Sequence, residues 1–185
     1  MKGMAYEKQN LYKNNERQFR DIDILVDREN LKKAFKVLTN IGYRIKNKLA
    51  VNRCKYISDY HHLPLMINKN KTPIELHHRV TKKDIYEDCP LNNYFFENLD
   101  EKRKIPNKSG LIAHVLYHAF QHHKMSQGPI FLFDVSKLIE IDEPLDHRLL
   151  EKLRLDKKFN QIQKIKNDIM LKNKLDDNVS MMIAN

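Results

Sequence analysis

Asp21 and Asp23 stand one residue apart in the stretch "RQFRDIDILVDREN", residues 17–30, at the start of a run of Ile, Leu and Val. In an extended chain alternate side chains share a face, so Asp21, Asp23 and Leu25 point one way and Ile22, Ile24 and Val26 the other. The two carboxylates then lie about 6 to 7 Å apart and repel unless water or a cation screens them. Two readings fit. In one, this is an edge strand whose acidic face is wet and neutralised by Arg17 or Arg20. In the other, the pair supplies oxygen ligands to a hard divalent cation such as Mg2+. A third carboxylate, Glu75 in "TPIELHH", alternates with Ile74 and Leu76, which would face a core. If its strand lies beside that of Asp21 and Asp23, three carboxylates converge on one sheet face. That is enough to hold two metal ions and to position a triphosphate for in-line attack.

Histidine is the second chemical resource: His61, His62, His77, His78, His114, His118, His122, His123 and His147. His114, His118 and His122 recur every four residues and share one helix face, and two His so spaced can bind zinc when a third ligand approaches. A His-based metal hydrolase would pair them with a general base, yet "HVLYHAFQHH" contains no carboxylate. Packing of part-buried His against the helix of Asp134 is the preferred reading. Asp134 stands among apolar residues in "FLFDVSKL", and since a buried carboxylate needs a partner, a bond to a His of the preceding helix is expected.

The elements that must position these groups follow from period and punctuation. Residues 3–12 read as a short helix ending in the polar turn "KNNER", and residues 21–26 as a strand. Asp27 is placed to cap "RENLKKAFKVLTNIG", where Leu31, Ala34, Phe35, Leu38 and Ile41 recur at helical spacing and Gly42 suits the C-terminal cap. "YRIK", "RCKYISDY", "HHLPLMINKN" and "TPIELHHRV" read as short strands of a mixed or antiparallel sheet. From about residue 91 the pattern turns helical in "NKSGLIAHVLYHAFQHHK", "PIFLFDVSKLIEI" and "HRLLEKLRLDKKFNQIQKIKNDIMLKN", while the final "DDNVSMMIAN" has no strong pattern and is expected to fray. The expectation is an α+β chain, with a small mixed sheet in residues 1–90 and a helical region in residues 91–185.

Composition sets wider bounds. The chain has 185 residues, 34 Lys and Arg against 24 Asp and Glu, and a formal charge of +10, which attracts phosphate-rich partners such as nucleotides or RNA. The lysines are scattered rather than interleaved with aromatics, which gives little support to sequence-specific nucleic-acid binding. No apolar run approaches the roughly 20 residues of a membrane helix, and "MKGMAYEKQNLYKNN" lacks the apolar centre of a secretory signal. A cytoplasmic protein with no membrane partner is expected. Cys54 and Cys89 have no close spacing and read as reduced thiols.

The order of Lys2 and Gly3, Tyr12, Arg17, Arg20, "DIDILV", a helix ending "IGY", the paired His61 and His62, and "IELH" resembles the uncharacterised nucleotidyltransferase family of the polymerase-beta-like nucleotidyltransferase superfamily. "LIAHVLYHAFQHH" followed by "FLFDVSKLIE" is similar to that family's helical region, so the resemblance runs from residue 1 to about 155. It implies that Asp21 and Asp23 are the metal-binding pair and Glu75 the third carboxylate. It also implies that Lys2 and Gly3 match a phosphate-contacting turn, and that Arg17 and Arg20 face the same cleft. The family has a helical stretch and a strand before its Lys-Gly turn, whereas here the sequence opens on the turn. A missing first strand is therefore expected, with an edge beside "DIDILV" open to self-association.

The expected activity is a metal-dependent nucleotidyltransferase that uses Mg2+ or Mn2+ to move a nucleoside monophosphate from an NTP to a protein, RNA or small-molecule acceptor. A degenerate, non-catalytic member that binds nucleotide or a partner is the alternative, with the His-based metal hydrolase behind it.

Overall fold

Alternation and helical period set the local structure, and the fold follows from which faces they leave apolar. The structure is a computed structural model that describes residues 2–13, 16–47, 60–81, 90–100, 102, 104–124, 126 and 128–183. The strand expected over "RCKYISDY" and both cysteines lie outside the described residues, apart from Tyr60. The chain divides into two compact units, residues 1–110 and 111–185. As expected from the sequence, its class is α+β.

The first unit opens with helix α1 (Lys2–Lys8). It ends before the expected residue 12 because Asn10 turns left-handed, at φ 52°. The Leu11 amide then bonds back to the Tyr6 carbonyl at 3.0 Å, and Asn tolerates this conformation better than most residues. Strand β1 (Ile22–Leu25) follows, then a tight turn at Arg28–Asn30 and helix α2 (Leu31–Asn40). Asp27 opens the tight turn without a side-chain capping bond, so the expected cap on the helix itself is not made. Gly42 does close the helix, at φ +94°, with Tyr43 N–H donating to the Leu38 carbonyl and Gly42 N–H to Thr39. Because the helix has ended by Ile41, that side chain leaves the apolar stripe and is 65% exposed.

Strands β2 (Arg44–Ile45), β3 (Met66–Ile67) and β4 (Pro73–His77) complete a mixed sheet in the order β1-β4-β3-β2. β1 runs parallel to β4, and the other pairings are antiparallel. Among the described residues β1 is an edge strand, with α1 against it. Helix α2 covers one face of the sheet. Leu31, Leu38, Tyr43, Leu63, Met66, Ile74 and Leu76 form the buried cluster, with Ile22, Ile24 and Val26 packed against it. Helix α3 (Pro90–Glu97) and the small hairpin of β5 (Leu99–Asp100) and β6 (Ile105–Pro106) end the unit; α3 falls at the start of the region expected to be helical, whereas the hairpin interrupts it with runs too short to show a period.

The second unit is helical. α4 (Lys108–Leu116) runs into a π-helical turn over Tyr117–His122, followed by α5 (Ile130–Ile139), α6 (His147–Lys152) and α7 (Asp156–Ile183). The run that begins "HRLLEKLRLDKKF" was expected to be one helix and is two. Arg154 stands left-handed at φ 56°, and Leu155 N–H donates to the Leu150 carbonyl, so the chain turns where no glycine marks it. Leu149, Leu150, Leu153, Leu155 and Phe159 are buried on either side of that turn, and α7 continues to Ile183 beyond the expected fraying point. Among the described residues no helix is long and apolar enough to cross a membrane.

Because the apolar face of β1 packs on the buried cluster, Ile24→Asp is expected to unfold the first unit by burying an unpaired charge. Leu76→Ala, at a position with no solvent exposure, is expected to lose about 2–5 kcal/mol. Urea unfolding followed by circular dichroism checks both, and a stable Ile24→Asp chain would mean that the faces of β1 are reversed.

Candidate functional site

The parallel pairing of β1 and β4 aligns Ile22 with Ile74, Asp23 with Glu75, Ile24 with Leu76 and Leu25 with His77. The ladder extends one bond further, from Val26 N–H to the His77 carbonyl at 3.0 Å. With Ile22, Ile24, Ile74 and Leu76 directed into the core, Asp23 and Glu75 stand side by side on the opposite face, as alternation requires.

A third group joins them. His77 lies two residues after Glu75 on the same strand face, and its Nε2 is 3.3 Å from Asp23 Oδ1 and 3.4 Å from Glu75 Oε2. The imidazole is 6% exposed, the carboxylates 20% and 25%. Neither ring nitrogen makes a hydrogen bond of good geometry among the described residues. The contacts are long for hydrogen bonds, so the attraction is chiefly electrostatic. The His77 interaction holds the Glu75 carboxyl below its usual range, against the opposing effect of burial; the charges of His62 and His77 add to the lowering, and that of Asp23 resists it. For His77 burial is the largest single influence and favours the neutral ring, but Asp23 and Glu75 together outweigh it and raise the pKa above its ordinary value.

His61 and His62 stand over this group. Their ring centroids lie 5.5 and 5.0 Å from that of His77 and 4.4 Å from each other. His62 pairs with His77 across an isolated bridge. The Nδ1 of His62 is 2.7 Å from the Leu63 carbonyl, which can only accept, so that nitrogen carries the proton. Nearby, His78 uses Nε2 to donate to the Tyr60 carbonyl at 2.7 Å.

Asp23, Glu75 and His77 can each offer one ligand atom within 4.8 Å of the others. Two carboxylate oxygens and a buried imidazole nitrogen this close together form a group that could hold a divalent cation. Asp21, the other half of the sequence pair, is exposed just before β1 and is not part of this group. Arg20 is exposed beside it. Arg17 donates from Nη1 to the Gln18 carbonyl at 2.7 Å and lies over the Phe19 ring, 5.1 Å from its centroid.

Lys2 and Gly3 fall in the first turn of α1 rather than in a loop. A Cβ at Gly3 would come within 2.8 Å of the Phe19 ring, so glycine there lets α1 and the segment before β1 approach closely. Tyr6, buried beneath, meets Phe19 and Tyr12 with ring centroids at 5.9 and 5.8 Å. In the second unit Asp134 is buried on α5, and His118, His122 and His123 form a second group whose ring nitrogens lie within 4.8 Å. His123 was absent from the helix face read from sequence. His77 was also missed as a site residue, although the alternation that aligned Asp21 with Asp23 aligns Glu75 with His77.

A mixed sheet with paired carboxylates on adjacent parallel strands, followed by helices, defines an α+β protein with a candidate cation site. The family model for uncharacterised nucleotidyltransferases matches residues 1–161, and the chain belongs to that family, which supports a general nucleotidyl-transfer function. No curated protein and no solved structure matches the chain.

The geometry sets the behaviour of His77 in chelator-treated protein. Its ring is expected to titrate above the ordinary 6.5, and Asp23→Asn to bring it down by removing one of the two charges that hold its proton. NMR of the imidazole protons, with His77→Asn to assign the signal, checks this; a His77 titration unmoved by Asp23→Asn would contradict the pairing.

Proposed function

We propose that the chain is a metal-dependent nucleotidyltransferase that moves a nucleoside monophosphate from an NTP to an acceptor, with pyrophosphate leaving. The observation that carries this reading is the register of β1 on β4, which sets Asp23 against Glu75 with His77 between them. Asp23 and Glu75 would hold Mg2+ or Mn2+, with Asp21 joining from the start of the strand. Bound there, the ion would neutralise charge on the triphosphate oxygens and on the leaving group.

The remaining work falls to the side chains. His77 keeps the two carboxylates together from the buried side. Glu75, held ionised by its neighbours, accepts the proton as the acceptor oxygen or nitrogen attacks the α-phosphorus and the bond to pyrophosphate breaks. Lys2, Gly3, Arg17 and Arg20 are assigned to the triphosphate, since each lies in or next to the two segments that lead into β1.

A second reading, a chain that binds nucleotide without turning it over, is favoured by one observation. Gly3 packs under Phe19, and Arg17 lies over the same ring, so two of the four expected phosphate contacts already have packing roles.

Saturating Mg2+ or Mn2+, at about 100 times the dissociation constant, is expected to stabilise the chain by about 2.7 kcal/mol. This corresponds to a rise in Tm on the order of 5–10 °C. Asp23→Asn should abolish the increment while leaving a folded chain, and should cut pyrophosphate release from an NTP on the order of 100-fold or more. An equal thermal increment in the variant would overturn the carboxylate site. Nucleotide binding without pyrophosphate release, across a panel of acceptors, would select the second reading.

A further inference from the structure

In an α-helix successive residues turn by about 100°, so a residue five positions on points about 140° away from the first. His118 and His123 would then face different sides. The π-helical turn at Tyr117–His122 changes this. His123 N–H donates to the His118 carbonyl at 2.8 Å, an i to i+5 bond that sets His123 over His118. His122, four residues after His118, stays on the same side. The three rings therefore meet, with centroids 4.9 Å apart for His118 and His122, 5.2 Å for His118 and His123, and 4.3 Å for His122 and His123. His122 Nδ1 lies 3.1 Å from His123 Nε2. All three residues are half-buried, which leaves a way in from solvent. Behind them the buried His114 packs edge-on against His118, with centroids 4.7 Å apart.

We propose that His118, His122 and His123 form a second metal site, one for a borderline transition-metal cation of the Zn2+ class. Three imidazoles contribute the nitrogen donors of this group, so the site favours Zn2+, Co2+ or Ni2+ over Mg2+ or Ca2+. Three protein ligands leave the fourth position of a tetrahedral ion open to water or an anion. All three ligands come from one turn, so the backbone irregularity is the device that builds the site, and the ion in turn holds that turn in its π form. This inference stands on the second unit alone and does not depend on the activity proposed for the first.

Co2+ serves as the probe because its visible absorption reports tetrahedral nitrogen ligation. The chelator-stripped 185-residue chain is titrated with Co2+, and Zn2+ is then added to displace it. One equivalent with tetrahedral bands is expected, and it should persist in Asp23→Asn. His122→Gln and His123→Gln should each weaken it by at least about tenfold, with folding verified by circular dichroism, whereas His147→Gln, outside the cluster, should leave it unchanged. Failure of the wild-type chain to saturate, survival of the bands in both cluster variants, their loss in Asp23→Asn, or equal weakening by His147→Gln would each overturn the proposal.

Discussion

The parallel pairing of β1 with β4 is the constraint on which the first unit depends, because core and site are two faces of one register. A slip of one residue would turn Ile22, Ile24 and Val26 outward and press Asp23 into the cluster of Leu31, Leu38 and Leu76. The hydrophobic effect therefore fixes the position of the carboxylates without any contact between them. Parallel strands also need a long crossover, and here it carries α2, β2 and β3, the elements that cover or extend the same sheet. The segment that closes the core thus also brings Glu75 back beside Asp23.

Bringing two carboxylates together has an electrostatic cost, and the chain offsets it with a buried imidazole. His77 would prefer to be neutral at its depth; the two acids reverse that preference, and its proton in turn favours ionised Glu75. The result is a preformed place for positive charge, held by strands rather than loops. A cation arriving there would meet ligands already fixed by backbone pairing, so little conformational entropy is lost on binding.

Much of this was legible. Alternation in "DIDILV" and "PIELH" separated core from polar face, and those faces are observed at Ile22, Ile24, Ile74, Leu76, Asp23 and Glu75. What escaped the sequence is mostly backbone conformation that carries a weak residue signature, as at Asn10, or none, as at Arg154. Asn10 and Arg154 end helices in the left-handed region without glycine. Ile41 keeps helical spacing but follows the last helical residue, and so is exposed. The π turn moves His123 onto a face where an α-helical projection does not put it. Asp21 differs in kind: alternation predicts that it shares the side of Asp23, but it precedes the paired residues of β1 and so escapes the register that fixes its neighbour.

The sign of the local charge bears on how a nucleotide would approach. A chain of net charge +10 draws polyanions from a distance, yet the point to which the proposed reaction brings them is a pair of acids only partly neutralised by His77. Over the last few ångströms a bare triphosphate would be repelled by Asp23 and Glu75, because screening weakens inside a Debye length of about 8 Å. A triphosphate that arrives with its divalent cation presents the opposite sign to those carboxylates. On the proposed function, long-range attraction and short-range repulsion together make the cation-bound nucleotide the species that can settle beside β1. On that reading the basic residues before the strand would govern how often it arrives, and the carboxylates which form is accepted.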